Sequence, residues 1–171
     1  MSSSIHNIHT QFQQLEYECQ LSPKSQQVPI DMLFVTVRSS LNKGLAWRLE
    51  LYLEPLEKES EIHKLEFVVP VVNVVKGASE SEIYEHIIAL NAKIYLGTFG
   101  YDRKHRIIYY QHHILGLNNE MELSDALLAQ TLDLINFHLS TFSGYFYNLA
   151  MAKPFEEERK IEEVLPFKLE D

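Results

Sequence analysis

The chain has 171 residues, 46% of them hydrophobic, which fits one domain that buries its own core. It carries 24 acidic against 15 basic residues, for a formal net charge of -9. This balance argues against DNA or RNA as a ligand, because neutralising phosphates requires a clustered Lys/Arg face, and here the basic residues are scattered among glutamates.

The single cysteine, Cys19, cannot form a disulfide within the chain. Such cysteine usage is typical of a reducing compartment and predicts a cytoplasmic protein. The first residues, MSSSIHNIHTQFQQ, lack the basic and apolar regions of a secretory signal. No apolar run approaches the roughly 20 residues that cross a bilayer, so no membrane span is predicted.

In chain order, the first predicted element is a helix over residues 4–19, whose apolar residues are spaced three and four apart. Residues 21–29, rich in Ser, Gln and Pro, are expected to be a connector. A strand over residues 30–38 and a turn at 39–44 precede a second strand, in which apolar and polar residues alternate. A third strand over residues 65–75 needs a bulge or a sheet edge at Pro70, which cannot donate to a ladder.

Ser79 or Ser81 should cap the next helix, with Glu82 completing a capping box and Gly97 providing the C-terminal stop. A hairpin follows, with its turn at residues 102–105. Ser124 or Asp125 should cap a final long helix. Its apolar stripe consists of Leu128, Leu132, Ile135, Leu139, Phe142, Phe146 and Leu149.

These elements predict an α+β fold, a twisted antiparallel sheet of about five strands packed on helices in the order α-β-β-β-α-β-β-α. Residues 1–152 are expected to form a single domain. Residues 153–171 are a charged tail, either a solvated helix or a disordered arm.

Catalytic and metal chemistry find little support in the residue pattern. His112 and His113, near His105, are the best metal candidates, but adjacent strand residues point to opposite faces of a sheet. Cys19 is expected to be a small buried hydrophobe on the first helix. GTFG, at residues 97–100, matches no phosphate-binding loop. No catalytic residue, metal or cofactor is therefore predicted.

Three segments carry a resemblance to known proteins: EIYEHIIALNAKIYLGTFGYD, the hairpin return RIIYYQHHILGL and the helix start ELSDALLAQTLDLI. Over roughly residues 28–150 the chain resembles the YbjN-like proteins and, more remotely, the class I type III secretion chaperones. The resemblance implies an α+β fold, commonly dimeric, with a chaperone-like or regulatory role in which helix and sheet surfaces hold client segments. The chain departs from both groups in its C-terminal tail and in the acidic loop at residues 57–61.

Aromatic residues nearly encircle the end of the last helix, which is more than a one-sided stripe needs. We expect a non-enzymatic protein-binding module that holds a protein or peptide on apolar sheet and helix surfaces and that forms a homodimer. The residues predicted to line that surface are Trp47, Tyr52, Tyr110, Tyr145 and Tyr147. The alternatives are a small-molecule-binding or hydrolytic domain with a cavity between sheet and helices, and an acidic adaptor whose tail, residues 155–167, docks as a helix.

Overall fold

A computed structural model of the chain describes residues 4–26, 28–39, 44–57, 61–74, 78–117 and 123–151. Its elements, in chain order, are α1 (Ser4–Gln14), β1 (Glu18–Ser22), β2 (Met32–Arg38), β3 (Ala46–Pro55), β4 (Ile62–Asn73), α2 (Glu80–Asn91), β5 (Thr98–Asp102), β6 (Ile107–Leu117) and α3 (Asp125–Ala150). The predicted α+β class is confirmed.

The described strands form one antiparallel sheet in the order β1-β2-β3-β4-β6-β5. The sheet thus has six strands where the sequence predicted about five, and the element order is α-β-β-β-β-α-β-β-α. Only β6 lies out of chain order, because it returns from β5 to pair with β4. The sheet edges are therefore β1 and β5.

One face of the sheet, here called the inner face, is covered by the helices. Leu49 and Leu51 of β3 are buried there, as the alternation in the sequence predicts, and so is Trp47, which was expected to line a binding surface. The cross-strand partners of Leu51 are Leu33 and Phe67, which are fully buried on the same face. The opposite face, here called the outer face, carries the intervening side chains, which are mostly polar or half-buried.

The helices are fixed to the inner side by apolar packing and by a few polar contacts. The Asn136 side chain of α3 donates to the Arg38 carbonyl oxygen at 3.0 Å, which ties the middle of α3 to the end of β2. The Gln11 side chain of α1 donates to the Leu123 carbonyl oxygen at 2.7 Å. All seven predicted stripe residues of α3 are buried.

The N-terminal prediction is wrong between residues 15 and 22. Helix α1 ends at Gln14, and Glu16 adopts a left-handed φ of 61° that turns the chain into β1. Cys19 therefore lies on this strand and not on a helix, opposite Val35, where it is half-buried against the core. The predictions of a helix to residue 19 and of a connector from residue 21 failed here because the five-residue strand is too short to show a period.

The predicted bulge at Pro70 and the predicted helix caps are confirmed, whereas the predicted helix stop at Gly97 is not. The β4–β6 register shifts between Pro70 and Val72, which is the bulge that proline requires. Ser79 caps α2 in a capping box with Glu82, and Ser124 caps α3. However, α2 ends at Asn91, so Gly97, with a φ of 75°, is not its stop and instead precedes β5.

Several predictions lie outside the described residues. These are the centre of the turn between β2 and β3, the tip of the loop between β3 and β4, and the tail from residue 152 onward.

Candidate functional site

Two of the five predicted partner-binding residues are not on a surface. Trp47 is 6% exposed and Tyr110 is fully buried, both on the inner face of the sheet. The expectation that they line a binding surface is wrong for this chain. The alternation of β3 places the Trp47 ring among the buried leucines. The pairing of β6 with β4 places the Tyr110 ring opposite Val69.

The other three residues lie apart from one another. Tyr147 is 47% exposed near the end of α3. Tyr145, two residues earlier on α3, points to a different side of the helix and is half-buried. Its hydroxyl forms a short hydrogen bond with His86 Nδ1 of α2. Tyr52 lies on the outer face of the sheet, opposite Glu66 of β4. The predicted single surface is thus divided between the two sides of the sheet.

The histidines behave as strand geometry predicts. His112 is buried on the inner face, whereas His113 is exposed on the outer face. Burial, with His113 as a secondary cause, lowers the pKa of His112. The described ranges contain no group of three or more His, Cys, Asp or Glu side chains placed to hold a metal ion.

Tyr110 belongs to a buried polar network that joins β6 to α3. Its hydroxyl donates to the Leu96 carbonyl oxygen at 3.2 Å and lies 2.9 Å from Nδ1 of His138. Since the hydroxyl has only one proton, His138 Nδ1–H is the donor in the second bond. Burial lowers the pKa of His138 to about 4, with the neighbouring His112 as the second cause. The imidazole is therefore neutral at physiological pH, which suits a structural role.

The candidate functional site is a groove on the outer face of the sheet, with a volume of about 490 Å³. This volume lies within the range of about 300–1,000 Å³ that ligand sites occupy. The groove runs across β3, β4 and β6 to β5. Its lining residues are Glu50, Tyr52, Glu66, Val68, Pro70, Asp102, Ile107, Tyr109 and Gln111. We call this site the outer groove.

Strand pairing builds the outer groove in rows. Glu50 lies opposite Val68, which lies opposite Gln111, so one row crosses three strands. Pro70 and Tyr109 form a neighbouring row. The walls are thus mainly apolar and aromatic, while carboxylates occupy defined positions between them.

Glu66 is the most buried carboxylate of the outer groove, at 8% exposure. Its carboxylate accepts a hydrogen bond from the Tyr52 hydroxyl and forms an ion pair with Lys64 Nζ at 2.7 Å. Lys64 also pairs with Glu54 at 2.8 Å, so one ammonium serves two carboxylates and its pKa is raised. Burial and the adjacent Glu66 raise the pKa of Tyr52 to about 12, which keeps the phenol protonated.

Tyr109 forms an aromatic wall of the outer groove, and Gly100 of β5 allows it to do so. The two residues are cross-strand partners. A Cβ on Gly100 would collide with the Tyr109 ring, reaching its Cε2 at 2.9 Å. The ring therefore lies across the glycine, where only a residue without a side chain fits.

A second pocket, of about 400 Å³, lies on the same face nearer the β1 edge. Its walls include Phe34 and Arg48, whose guanidinium carbon is 4.0 Å from the Phe34 ring centroid. The lining of the second pocket thus contains one basic and one acidic side chain, Arg48 and Glu18, and the Arg48 cation is already stacked on Phe34.

The sequence predicted one residue of the outer groove, Tyr52, and missed the rest. The signal in β3 was readable, because Glu50 and Tyr52 alternate with buried residues. In β4 and β6 the apolar and aromatic residues occur in consecutive runs, at residues 67–72 and 107–110, so periodicity could not assign a face to Val68 or Tyr109. A single glutamate, Glu66, within the apolar run of β4 was the strongest unused signal.

Comparison with known proteins finds no family model that matches the chain and no curated protein with significant sequence similarity to it. Within the described residues, no helix is both long enough and apolar enough to cross a membrane.

Proposed function

We propose that the chain is a non-enzymatic protein-binding module, chaperone-like or regulatory, which holds an extended segment of a partner protein in the outer groove. One observation carries this proposal. The described helices all pack on the inner face, and they leave the outer face with an open groove whose walls are formed by Val68, Pro70, Ile107 and Tyr109.

An extended segment suits this site because the groove is open and crosses β3, β4 and β6 to β5. A chain lying there would bury apolar side chains between the aromatic walls and would place polar groups near Gln111 and Glu50. The pattern of cysteine usage, with Cys19 alone, is compatible with a cytoplasmic setting for this function.

Addition of a partner strand at the β5 edge is a less suitable mode of binding. The Asn91 side chain already bonds the backbone N–H and C=O of Phe99, which occupies that position of the edge. Side-chain pockets of the outer face are therefore expected to supply most of the affinity.

Self-association is a second part of the proposal and uses a different surface. Around α2 and its C-terminal end, Tyr84, Ile88 and Tyr95 are 40%, 67% and 83% exposed. Tyr84 and Ile88 are one helical turn apart and form one face. We propose that a second copy of the chain covers this face in a two-fold homodimer.

The alternative function, a small-molecule or hydrolytic site between sheet and helices, has less support. Phe67, Tyr110 and Phe142 are buried in that space and fill it with aromatic rings. The adaptor alternative depends on the tail, which lies outside the described residues.

Selection of peptides from a random display library against the full immobilised chain tests the proposed function. We expect enrichment of peptides whose binding is lost in a Val68→Asp variant and kept in a Phe137→Ser variant. Phe137 is the matched control, because it is 42% exposed on α3, on the other side of the sheet. Failure to enrich any peptide, or equal binding to both variants, would refute the proposal.

A further inference from the structure

The charges of the outer groove point to the chemistry of its occupant. Three carboxylates line it, those of Glu50, Glu66 and Asp102, and its lining contains no Lys, Arg or His. The whole chain has a net charge of -9, so its long-range field also favours cationic partners.

The three carboxylates are not equivalent. Asp102 accepts hydrogen bonds from the backbone N–H groups of Lys104 and His105 and from the His105 ring, so it stabilises the β5–β6 turn. These bonds lower the pKa of Asp102. It contributes negative charge at the rim, but its oxygens are already engaged.

Glu66 is ion-paired, whereas Arg48, two residues from Glu50 on the same face of β3, is stacked on the Phe34 ring. Lys64 lies between Glu54 and Glu66, so this group of three side chains keeps a net charge of about one negative unit. Glu50, half-buried in β3, forms no ion pair with any residue in the described part of the chain. Its cross-strand neighbours are Phe34 and Val68, neither of which is charged.

Aromatic rings stand beside these carboxylates. Tyr52 is two residues from Glu50 on the same face of β3 and bonds Glu66, and Tyr109 is held over Gly100. Aromatic faces attract cations, and a carboxylate bonds a cationic donor more strongly than a neutral one. Rings and carboxylates together form a suitable environment for an ammonium or guanidinium group on an apolar stem.

We infer that the outer groove selects partner segments that place one arginine or lysine side chain between apolar residues, with Glu50 as its principal counter-ion. This inference rests on the proposed function, because it specifies the occupant of the same groove. The stem of the basic residue contacts Tyr52 and Val68, while its neighbours on the segment pack on Pro70 and Tyr109.

The test uses two synthetic peptides of about nine residues, the length of a long strand, with alternating valine and serine. One has a central arginine, and the other has citrulline, which has nearly the same shape without the charge. Binding of both to the full chain is measured by fluorescence anisotropy at low and at high salt. We expect the arginine peptide to bind at least about tenfold more tightly at low salt, and the difference to shrink at high salt because of screening.

Two variants of the chain localise the effect. Glu50→Gln keeps the shape of the side chain and removes its charge, so it should reduce the preference for arginine about fivefold or more. Glu85→Gln is the matched control, because it makes the same change of net charge on exposed α2 and should leave the preference unchanged. Thermal unfolding of each variant verifies that it is folded.

The outcomes separate the two proposals. Equal affinity for both peptides, lost in Val68→Asp, would overturn the selection for a basic residue and would support peptide binding in the groove. A preference for arginine that Glu50→Gln leaves intact would also overturn the inference. No binding of either peptide would overturn it as well, while the library selection decides the proposed function independently.

Discussion

The side-chain amide of Asn91 bonds the backbone of Phe99 at two points, donating to its carbonyl oxygen at 2.8 Å and accepting from its N–H at 2.8 Å. Asn91 is the last residue of α2, and Phe99 lies on the edge strand β5. One amide thus replaces the neighbouring strand that an edge residue lacks, and it fixes the helix end against the sheet.

Replacing Asn91 with alanine should destabilise the fold by about 1–3 kcal/mol, because two part-buried backbone groups of Phe99 lose their partner. Urea unfolding of the variant measures this change. Asn7→Ala, an exposed substitution on α1, is the control and should change stability by less than about 0.5 kcal/mol. A loss of stability no greater than that of the control would show that the two hydrogen bonds from Asn91 do not support β5.

Acidification should destabilise the protein through His138. Its pKa is near 6.5 in the unfolded chain and about 4 in the folded chain, so the folded state binds fewer protons between these values. The contribution of neutral His138 to the free energy of unfolding is complete above pH 6.5 and is lost as the pH falls toward 4. The total loss is up to about 3 kcal/mol. The urea midpoint measured between pH 7.5 and 4 tests this.

His138→Gln is the matched variant for that pH dependence. It removes the titrating ring but keeps an amide that can donate to the Tyr110 hydroxyl. We expect a lower stability at neutral pH and a flatter dependence on pH. If the slope in the variant equals that of the parent chain, His138 is not its source.

Two glycines should respond to alanine in opposite directions. Gly97 has a φ of 75°, and a Cβ there would collide with the Tyr110 hydroxyl and lie 3.0 Å from the Gln111 carbonyl oxygen, so Gly97→Ala should cost more than about 2 kcal/mol. Gly144, in the C-terminal part of α3, has no atom within 4 Å of such a Cβ. Gly144→Ala should therefore stabilise the chain by about 0.5–1 kcal/mol. Thermal unfolding measures the stability of both variants. A small loss of stability in Gly97→Ala would contradict the geometry described for the Tyr110 network.

Charge introduced on the exposed face of α2 should prevent self-association. We expect the parent chain to be a dimer in light scattering coupled to size-exclusion chromatography, and Ile88→Glu to be a monomer, because a buried unpaired carboxylate opposes the interface. Leu127→Glu, on α3, is the control because Leu127 is also exposed. A parent chain that is monomeric across micromolar concentrations contradicts the proposed dimer.

The sequence predicted those parts of the fold that depend on one face being buried. The stripe from Leu128 to Leu149 and the alternation of Trp47, Leu49 and Leu51 were sufficient to locate the core of α3 and β3. The same alternation should have placed Trp47 inside. It was assigned to a surface because aromatic residues are common at interfaces, a statistical argument that the strand period outweighs.

The outer groove could not be predicted in the same way, because it depends on strand register. In β6, Tyr109 and Tyr110 are adjacent and chemically alike, and only the pairing of Tyr109 with Pro70 and Gly100 places it outside. Register is set by long-range contacts that a single sequence does not display. The short strand β1 was missed for the related reason that its pairing with β2, and not its own pattern, makes it a strand.

Hydrogen–deuterium exchange of the full chain, with and without a saturating selected peptide, tests the central claim most directly, because it locates the bound partner on the fold. The account predicts slower exchange in β3, β4 and β6, around Val68 and Gln111, with α3 unchanged. Protection confined to α2 and α3, with no change in these strands, would contradict it.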